Sequence, residues 1–264
     1  MLTFILLCLL VGAIVGFLAG LFGIGGGLII VPTLVYLLPM IGVPEPLLMS
    51  AALGTSFATI VITGFSSAQR HHKLGNIEWS AVKVLAPMVM ISVFISGLFI
   101  GKLDREVSAK IFACLVVYLA AKMVISIKKN TVNAKPLTTQ SSVIGGILIG
   151  MASSAAGIGG GGFIVPFLNS RGIDMKKSIG SSAFCGALLG LSGMLSFMVS
   201  GWGNPSMPDY SLGYIYLPAV LGITATSFFT SKLGATATSK LPVPTLKKGF
   251  ALLLIAIAVD MFMK

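Results

Sequence analysis

Two glycine-rich blocks contain the residues of this chain best suited to binding chemistry. Gly23 to Pro32 reads GIGGGLIIVP, Gly157 to Pro166 reads GIGGGGFIVP, and each block interrupts a long uncharged apolar run. Consecutive glycines allow a backbone to leave one helix and begin another. A helix that begins inside a membrane protein presents free N–H groups and the positive end of its dipole, and both attract an anion.

Hydroxyl pairs follow both glycine blocks. The first pair, in LGTS, is Thr55 and Ser56, and the second, in IGSS, is Ser181 and Ser182. We predict that these hydroxyls and the block glycines bind one small anion; the glycines are Gly25, Gly26, Gly27, Gly159, Gly160 and Gly161. The alternative is that the glycines only let helices pack closely and that the hydroxyls bond to their own backbone. The duplication favours a ligand or gating role.

The composition requires a membrane environment. Apolar residues make up 56% of the 264 residues and charged residues only 9%, and the mean hydropathy is +1.01. A soluble domain of this composition would leave apolar surface in water. The net charge of +11 does not indicate nucleic acid, because the Lys and Arg residues stand in short segments between apolar stretches, as they do on the cytoplasmic side of membrane proteins.

The apolar runs predict an all-α polytopic membrane protein. A first helix is expected over Met1 to Phe22, and after the glycines Leu28 to Met40 is too short to cross a bilayer alone. The same order recurs in the second half. The remaining expected helices are Pro46 to Gln69, Glu78 to Gly101, a fourth ending near Ile127, Val143 to Ala156, the short arm Phe163 to Leu168, the run Ser178 to Pro208, Tyr210 to Ser231, and Leu246 to Met263.

Charge bias selects a topology for these helices. If each glycine-broken stretch is a re-entrant hairpin with no net crossing, most loop cations fall in the cytoplasm, and those of Lys102 to Lys110 fall outside. The chain then consists of two inverted repeats, residues 1–127 and 141–264, joined by a cytoplasmic linker at 128–140. Each repeat has three full membrane helices and one hairpin, with both termini outside. Inverted repeats with broken helices are typical of secondary transporters.

Other polar residues receive structural interpretations. His71 and His72 are expected in a solvated loop with Arg70 and Lys73, and Lys83 and Lys122 at cytoplasmic helix ends. Asp260 is expected at an interface, although a membrane carboxylate is also a candidate for a coupling proton. The free cysteines, Cys8, Cys114 and Cys185, lie in apolar runs and suggest neither a disulfide framework nor a metal site. No catalytic constellation is visible, so we expect neither an enzyme nor a cofactor.

The whole chain resembles the TauE/SafE sulfite exporter family of membrane transporters. The resemblance rests on the two glycine blocks, the LGTS and IGSS segments, LGNIEW before the third helix and the late stretch LPVPTLKKGFALLLIAIAV. It implies about eight membrane helices, a bacterial cytoplasmic (inner) membrane location, and transport of sulfite, sulfoacetate, other organosulfonates or related small anions.

Two functional hypotheses follow. The first is an alternating-access carrier, expected to export a small sulfur-containing anion and coupled to a proton or a sodium ion. The second is a passive anion channel, which would require charged rings or a continuous pore. The expected partners are the anionic substrate and the lipid bilayer, with no nucleic acid.

Overall fold

The computed structural model describes residues 1–128 and 137–246, and beyond these residues 248, 249 and 252. The described chain is almost entirely helical. Its long elements are α1 (Leu2–Phe22), α2 (Gly27–Leu37), α3 (Leu48–Lys73), α4 (Trp79–Ile100), α5 (Arg105–Lys128), α6 (Thr139–Ala156), α7 (Gly161–Ser170), α8 (Met175–Ser200) and α9 (Leu217–Lys240). Short 3₁₀ turns occupy Leu38–Ile41 and Glu45–Leu47, and the strands β1 (Ser211–Leu212) and β2 (Ile215–Tyr216) form an antiparallel hairpin before α9.

Several of these helices are built to cross a bilayer. In the described residues, four segments are long and apolar enough to span: Leu2–Phe22, Glu45–Lys73, Trp79–Ile100 and Met175–Ser200. Helix α1 exposes a row of large apolar side chains that includes Leu6, Leu10 and Ile14. Such a surface is stable only against lipid or another apolar partner. The chain is therefore a multi-pass membrane protein.

Close helix packing joins the two halves of the chain. Helix α1 packs along α9 through Gly12, Gly16 and Gly20, where a side chain would overlap the facing helix. Helix α6 packs in the same way along α4 through Gly146 and Gly150. Because lipid supplies no hydrophobic force between helices, small residues that allow backbones to approach are the usual device for such contacts.

The contacts also fix the direction of each helix. Helices α1, α3 and α9 run parallel. Along α1 and α9, Gly12 meets Ile223 and Gly20 meets Ser231; along α3 and α9, Thr63 bonds to Ser227 and Arg70 bonds to Thr236. Helices α4, α6 and α8 run the opposite way, and α3 crosses α8 antiparallel at the centre, where Gly64 meets Ala187 and Gly193 meets Phe57. Because α1 and α3 share one direction, α2 and the turns after it return the chain to the side from which α1 began.

Three sequence expectations are wrong in detail. Arg70 to Lys73 do not form a loop, because α3 continues through them and breaks only at Gly75, whose φ is 70°. The expected loop Lys102 to Lys110 is mostly the first turns of α5, so few of its residues are loop. The helix expected from Tyr210 begins only at Leu217, because the β-hairpin turns at Gly213, whose φ is 59°, and Pro218 favours a helix start there.

The described residues set a limit on the C-terminal prediction. Of the helix expected over Leu246 to Met263, the structure describes only a few residues, and Asp260 lies outside them. The cysteines are free, as expected; Cys8 and Cys185 are buried and Cys114 is exposed.

Candidate functional site

Both glycine blocks break their helices, as the sequence predicts. Helix α1 ends at Phe22 and α2 begins at Gly27; helix α6 ends at Ala156 and α7 begins at Gly161. The connecting glycines with positive φ are Gly23 (68°), Gly25 (69°), Gly26 (92°), Gly157 (58°) and Gly160 (74°). Residues with a side chain rarely adopt this left-handed conformation. Glycine is therefore required at these positions by the backbone itself.

The two breaks touch each other inside the protein, and we call this contact the glycine crossing (residues 23–27 and 157–161). A side chain at Gly27 would overlap the carbonyl oxygen of Gly157, and a side chain at Gly161 would overlap that of Gly23. A Cβ atom at Gly25 would lie 3.1 Å from the Cα of Gly159. Backbone thus packs directly on backbone, and each half contributes the same positions to the contact.

The second hydroxyl of each pair ties the other half's break to its own helix. Ser56 Oγ, on α3, donates a hydrogen bond to the carbonyl oxygen of Gly157 at 2.9 Å. Ser182 Oγ, on α8, donates to the carbonyl oxygen of Gly23 at 3.1 Å. Both serines are fully buried. The bonds satisfy carbonyl groups that the broken helices leave without an intrahelical partner.

The first hydroxyl of each pair binds the segment that leads into the following helix of the other half. Thr55 Oγ1 accepts a hydrogen bond from the N–H of Tyr216 at 3.0 Å, and Ser181 Oγ accepts one from the N–H of Glu78 at 2.8 Å. Within the described part of the chain, neither the Thr55 nor the Ser181 hydroxyl donates a hydrogen bond. These two O–H groups are therefore the ones that could donate to a ligand.

The helix starts at the crossing supply further donors. In the first copy, backbone bonding of α2 begins where Ile29 N–H donates to Gly26 O at 3.0 Å; in the second, Phe163 N–H donates to Gly160 O at 2.9 Å. The amides of the two preceding residues in each helix have no acceptor within the described chain. N–H groups of this kind are suited to an oxyanion. Lys83 lies exposed on α4, and the side chain of Lys122 is not among those described.

One side chain breaks the symmetry of the crossing. A Cβ atom added at Gly25, Gly159 or Gly190 would lie 3.0, 2.9 and 2.8 Å, respectively, from Cγ2 of Ile60. The matching position on α8 is Gly186, where a side chain would overlap the carbonyl oxygen of Gly159. The crossing is thus closed by an isoleucine on one side and by backbone on the other.

The short segments before α4 and α9 are equivalent in the two halves, which the sequence analysis missed. NIEW places Asn76 and Glu78 before α4, and YIYL places Tyr214 and Tyr216 before α9. A side chain at Gly54 would overlap the backbone near Tyr214, and one at Gly180 would overlap Asn76. The two short motifs are therefore structural equivalents. The carboxylate of Glu78 accepts a hydrogen bond from Lys177 Nζ at 2.9 Å, and this bond holds the pKa of Glu78 below its ordinary value.

His71 does not lie where the sequence placed it. It is fully buried in the last turn of α3, and its Nε2 bonds to Gly20 O at 3.0 Å. His72 is exposed, with its ring edge-on to Trp79 at 5.5 Å. The basic run RHHK suggested solvent, but a helix turns by about 100° per residue, so one member of such a run can face the core.

Comparison with known proteins places this architecture among transport proteins. The family described as "Sulfite exporter TauE/SafE" matches residues 8–261. A "Probable membrane transporter protein" of Haemophilus influenzae is 81% identical over 264 residues, which is 100% of both chains. "Probable membrane transporter protein MJ0441" of Methanocaldococcus jannaschii is 28% identical over 236 residues, 89% of this chain and 86% of the relative. No solved structure matches the chain.

Proposed function

The chain belongs to the sulfite exporter TauE/SafE family, and on that premise we propose that it is a secondary transporter that exports a small sulfur-containing anion such as sulfite or an organosulfonate. The proposal is carried by one observation. Two buried glycine breaks, one from each half, pack backbone to backbone and are each held by a serine of the opposite half. No enzymatic step is part of the proposed function.

The proposed architecture is a pair of inverted repeats. Support comes from the antiparallel crossing of the equivalent helices α3 and α8 and from the reciprocal bonds of Ser56 and Ser182. If these helices cross the membrane, the two-fold axis that relates them lies in the membrane plane. Inverted repeats of this kind let one half rock against the other around a fixed site.

The proposed binding site is the glycine crossing. The register of α3 against α8, in which Phe57 meets Gly193 and Gly64 meets Ala187, places Thr55 and Ser181 about 20 Å apart along the helix axes. Contrary to the sequence prediction, the two hydroxyls therefore do not share one small anion. An anion would be held on one side of the crossing, by the free amides at the start of α2 with the hydroxyl of Thr55 or by those at the start of α7 with the hydroxyl of Ser181. In the conformation described, the two breaks are in contact and Ser56 and Ser182 are bonded to carbonyls. Binding therefore requires the breaks to separate, and this separation would be the movement that alternates access.

The proposed orientation follows from charge. Placing Arg70, Lys73, Arg171 and Lys177 on one side puts the cationic ends of α3 and α8 in the cytoplasm, as in a bacterial inner membrane protein. Both termini then lie outside. Neutral donors at helix starts favour any small oxyanion. The proposed substrate class and direction of transport are therefore taken from the family's description.

Uptake into proteoliposomes tests the function. Radiolabelled sulfite, a labelled sulfonate and labelled chloride are offered to vesicles that contain the protein and to empty vesicles, with and without an imposed proton gradient. We expect saturable uptake of a sulfur anion, with trans-stimulation by unlabelled substrate. Equal flux of all three anions without saturation would indicate a channel, and no flux above empty vesicles would contradict the proposal.

A further inference from the structure

A stripe of polar side chains runs along α3 from the glycine crossing to its last turn. Thr59, Thr63, Ser67 and His71 follow at four-residue spacing, which places them on one face of the helix. All are buried, and none is more than 1% exposed. An ionisable side chain in a membrane interior is costly and usually marks an ion pathway. The stripe ends at the buried imidazole.

The equivalent face of α8 carries no such stripe. The matching residues are Cys185, Leu189, Gly193 and Phe197, which are apolar or small. Thr59 donates to Ser56 O within α3 and Thr63 bonds to Ser227 of α9, so helix packing accounts for these two hydroxyls. It does not account for the unpartnered hydroxyl of Ser67 or for the buried imidazole of His71. These two groups are specific to the first half.

The ring of His71 bridges two parts of the structure. Its Nε2 bonds to Gly20 O on α1 at 3.0 Å, and its Nδ1 stands 3.5 Å from Nδ2 of Asn76 in the loop before α4. Nε2 must carry a proton to donate to Gly20 O, and Nδ1 faces the amide nitrogen of Asn76, so the arrangement fits the neutral ring with its proton on Nε2. Ser67, one turn before, has a buried hydroxyl with no partner among the described residues.

The groups around His71 are polar or cationic in the described chain. Helix α1 contributes a carbonyl, and α9 contributes Thr238 and Ser239, the latter bonded to Asn76 at 2.8 Å. Lys176 of α8 donates to Ser239 O, Arg70 of α3 donates to Thr236, and the carboxylate of Glu78 is engaged by Lys177. None of these groups gives an imidazolium a buried counter-ion, so this conformation is unfavourable for the charged ring.

We propose that His71 is the proton-binding residue that couples transport to the proton gradient, an inference that rests on the proposed transporter function and names its coupling ion. When Nδ1 takes up a proton from water, the ring has two N–H donors, and one of them points at the Asn76 amide donor. The contact between His71 and Asn76 then becomes repulsive, and the protonated ring favours a conformation in which the Asn76 loop has moved.

That movement reaches the glycine crossing from both sides. The Asn76 carbonyl packs against Gly180, and two residues later Glu78 N–H bonds to Ser181, beside the serine that holds Gly23. On its other side, His71 holds Gly20, three residues before Gly23. Proton binding at His71 and substrate binding thus both shift the equilibrium between the closed and the separated glycine crossing. Coupling requires such a shared equilibrium.

Transport by His71→Gln protein, with His72→Gln as the matched control, tests the proposal. Glutamine can still donate to Gly20 O but cannot titrate. If one proton moves per anion, a gradient of about 1 pH unit supports roughly tenfold accumulation. We expect that accumulation in wild type and in His72→Gln, and a ratio of about 1 in His71→Gln with anion exchange retained. Gradient-driven accumulation by His71→Gln, or wild-type accumulation indifferent to pH, would overturn the proposal.

A second measurement decides the case in which His71→Gln loses exchange as well, or wild type transports none of the anions offered. The chain has 2 histidines, so ¹⁵N-histidine NMR of His72→Gln protein in lipid reports His71 alone. We expect the Nε2–H form at alkaline pH and a form with both nitrogens protonated as the pH is lowered. A ring that stays neutral throughout refutes the proton site. If the ring titrates but the protein transports none of the anions offered, the result refutes the proposed substrate class and not the proton site.

Discussion

A single methyl group added at Gly161 tests whether contact between the two breaks holds the fold. A Cβ atom there would lie 2.6 Å from the carbonyl carbon of Gly23 and nearer still to its oxygen and to the Cα of Ile24. Carbon atoms in contact normally stand about 3.5–4.0 Å apart. Gly162 is the matched control, because a Cβ atom there would meet only side-chain methyls, the nearest being Leu119 Cδ1 at 2.9 Å.

The two substitutions differ in which atoms must move to make room for the added methyl group. At Gly161 the obstacle is backbone, which must move by about 1 Å, and overpacking of this kind costs about 1–3 kcal/mol. Alanine in a helix recovers up to about 1 kcal/mol over glycine. We expect Gly161→Ala to be destabilised by a net 1–2 kcal/mol or so, and Gly162→Ala to be near neutral because the Leu119 side chain can rotate.

Scanning fluorimetry of the purified protein in detergent measures the difference. Trp79 packs on Phe184 with ring centroids 5.1 Å apart, so its emission reports the packing around α8. A loss of 1–2 kcal/mol corresponds to a melting temperature lower by roughly 2–8 °C. Transport by Gly161→Ala should fall as well. Equal melting temperatures and equal transport for the two variants would show that the crossing is not in close contact in solution.

Further predictions concern the reciprocal bonds, the loop ion pair and the membrane orientation. Ser56→Ala and Ser182→Ala should each cost about 1–3 kcal/mol, because each leaves a buried carbonyl unsatisfied; a large difference between them in melting temperature would contradict their equivalence. Because the folded-state pKa of Glu78 is lowered, its pairing stabilises fully above the ordinary value of 4.5 and is lost as pH falls through the folded-state pKa. Melting of Glu78→Gln should therefore lose part of that pH dependence, and an unchanged profile would argue against the pair. In a cysteine-free background, Thr3→Cys and Lys264→Cys should be labelled from outside; protection of both would reverse the orientation.

Local chemistry explains what the sequence predicts well. Consecutive glycines at Gly25 to Gly27 can serve only where a backbone turns sharply or is closely approached, so the break in each half follows from residue type. The ends of α1 at Phe22 and α6 at Ala156 also follow closely, because the glycine blocks stop both helices. Duplication of the hydroxyl pairs by itself indicates their equivalence.

Long-range pairing explains what the sequence does not predict. Nothing local shows that Ser56 bonds to Gly157 or that Ser182 bonds to Gly23, since these contacts depend on how the halves dock. The hairpin before α9 was hidden in an apolar run, because two-residue strands have no measurable periodicity. His71 was hidden by its charged neighbours, because its burial depends on α1 lying beside α3.

Substrate affinity in single variants tests most directly the claim that neutral donors at the glycine crossing bind the anion. The variants are Thr55→Val and Ser181→Ala beside Lys83→Gln, each shown to remain folded at the assay temperature, with labelled sulfite or a labelled sulfonate as the ligand. One charge-assisted bond contributes about 1.5–3 kcal/mol, so at least one hydroxyl variant should bind about tenfold to a hundredfold more weakly and Lys83→Gln should bind normally. Loss of binding in Lys83→Gln with full affinity in both hydroxyl variants would contradict the account.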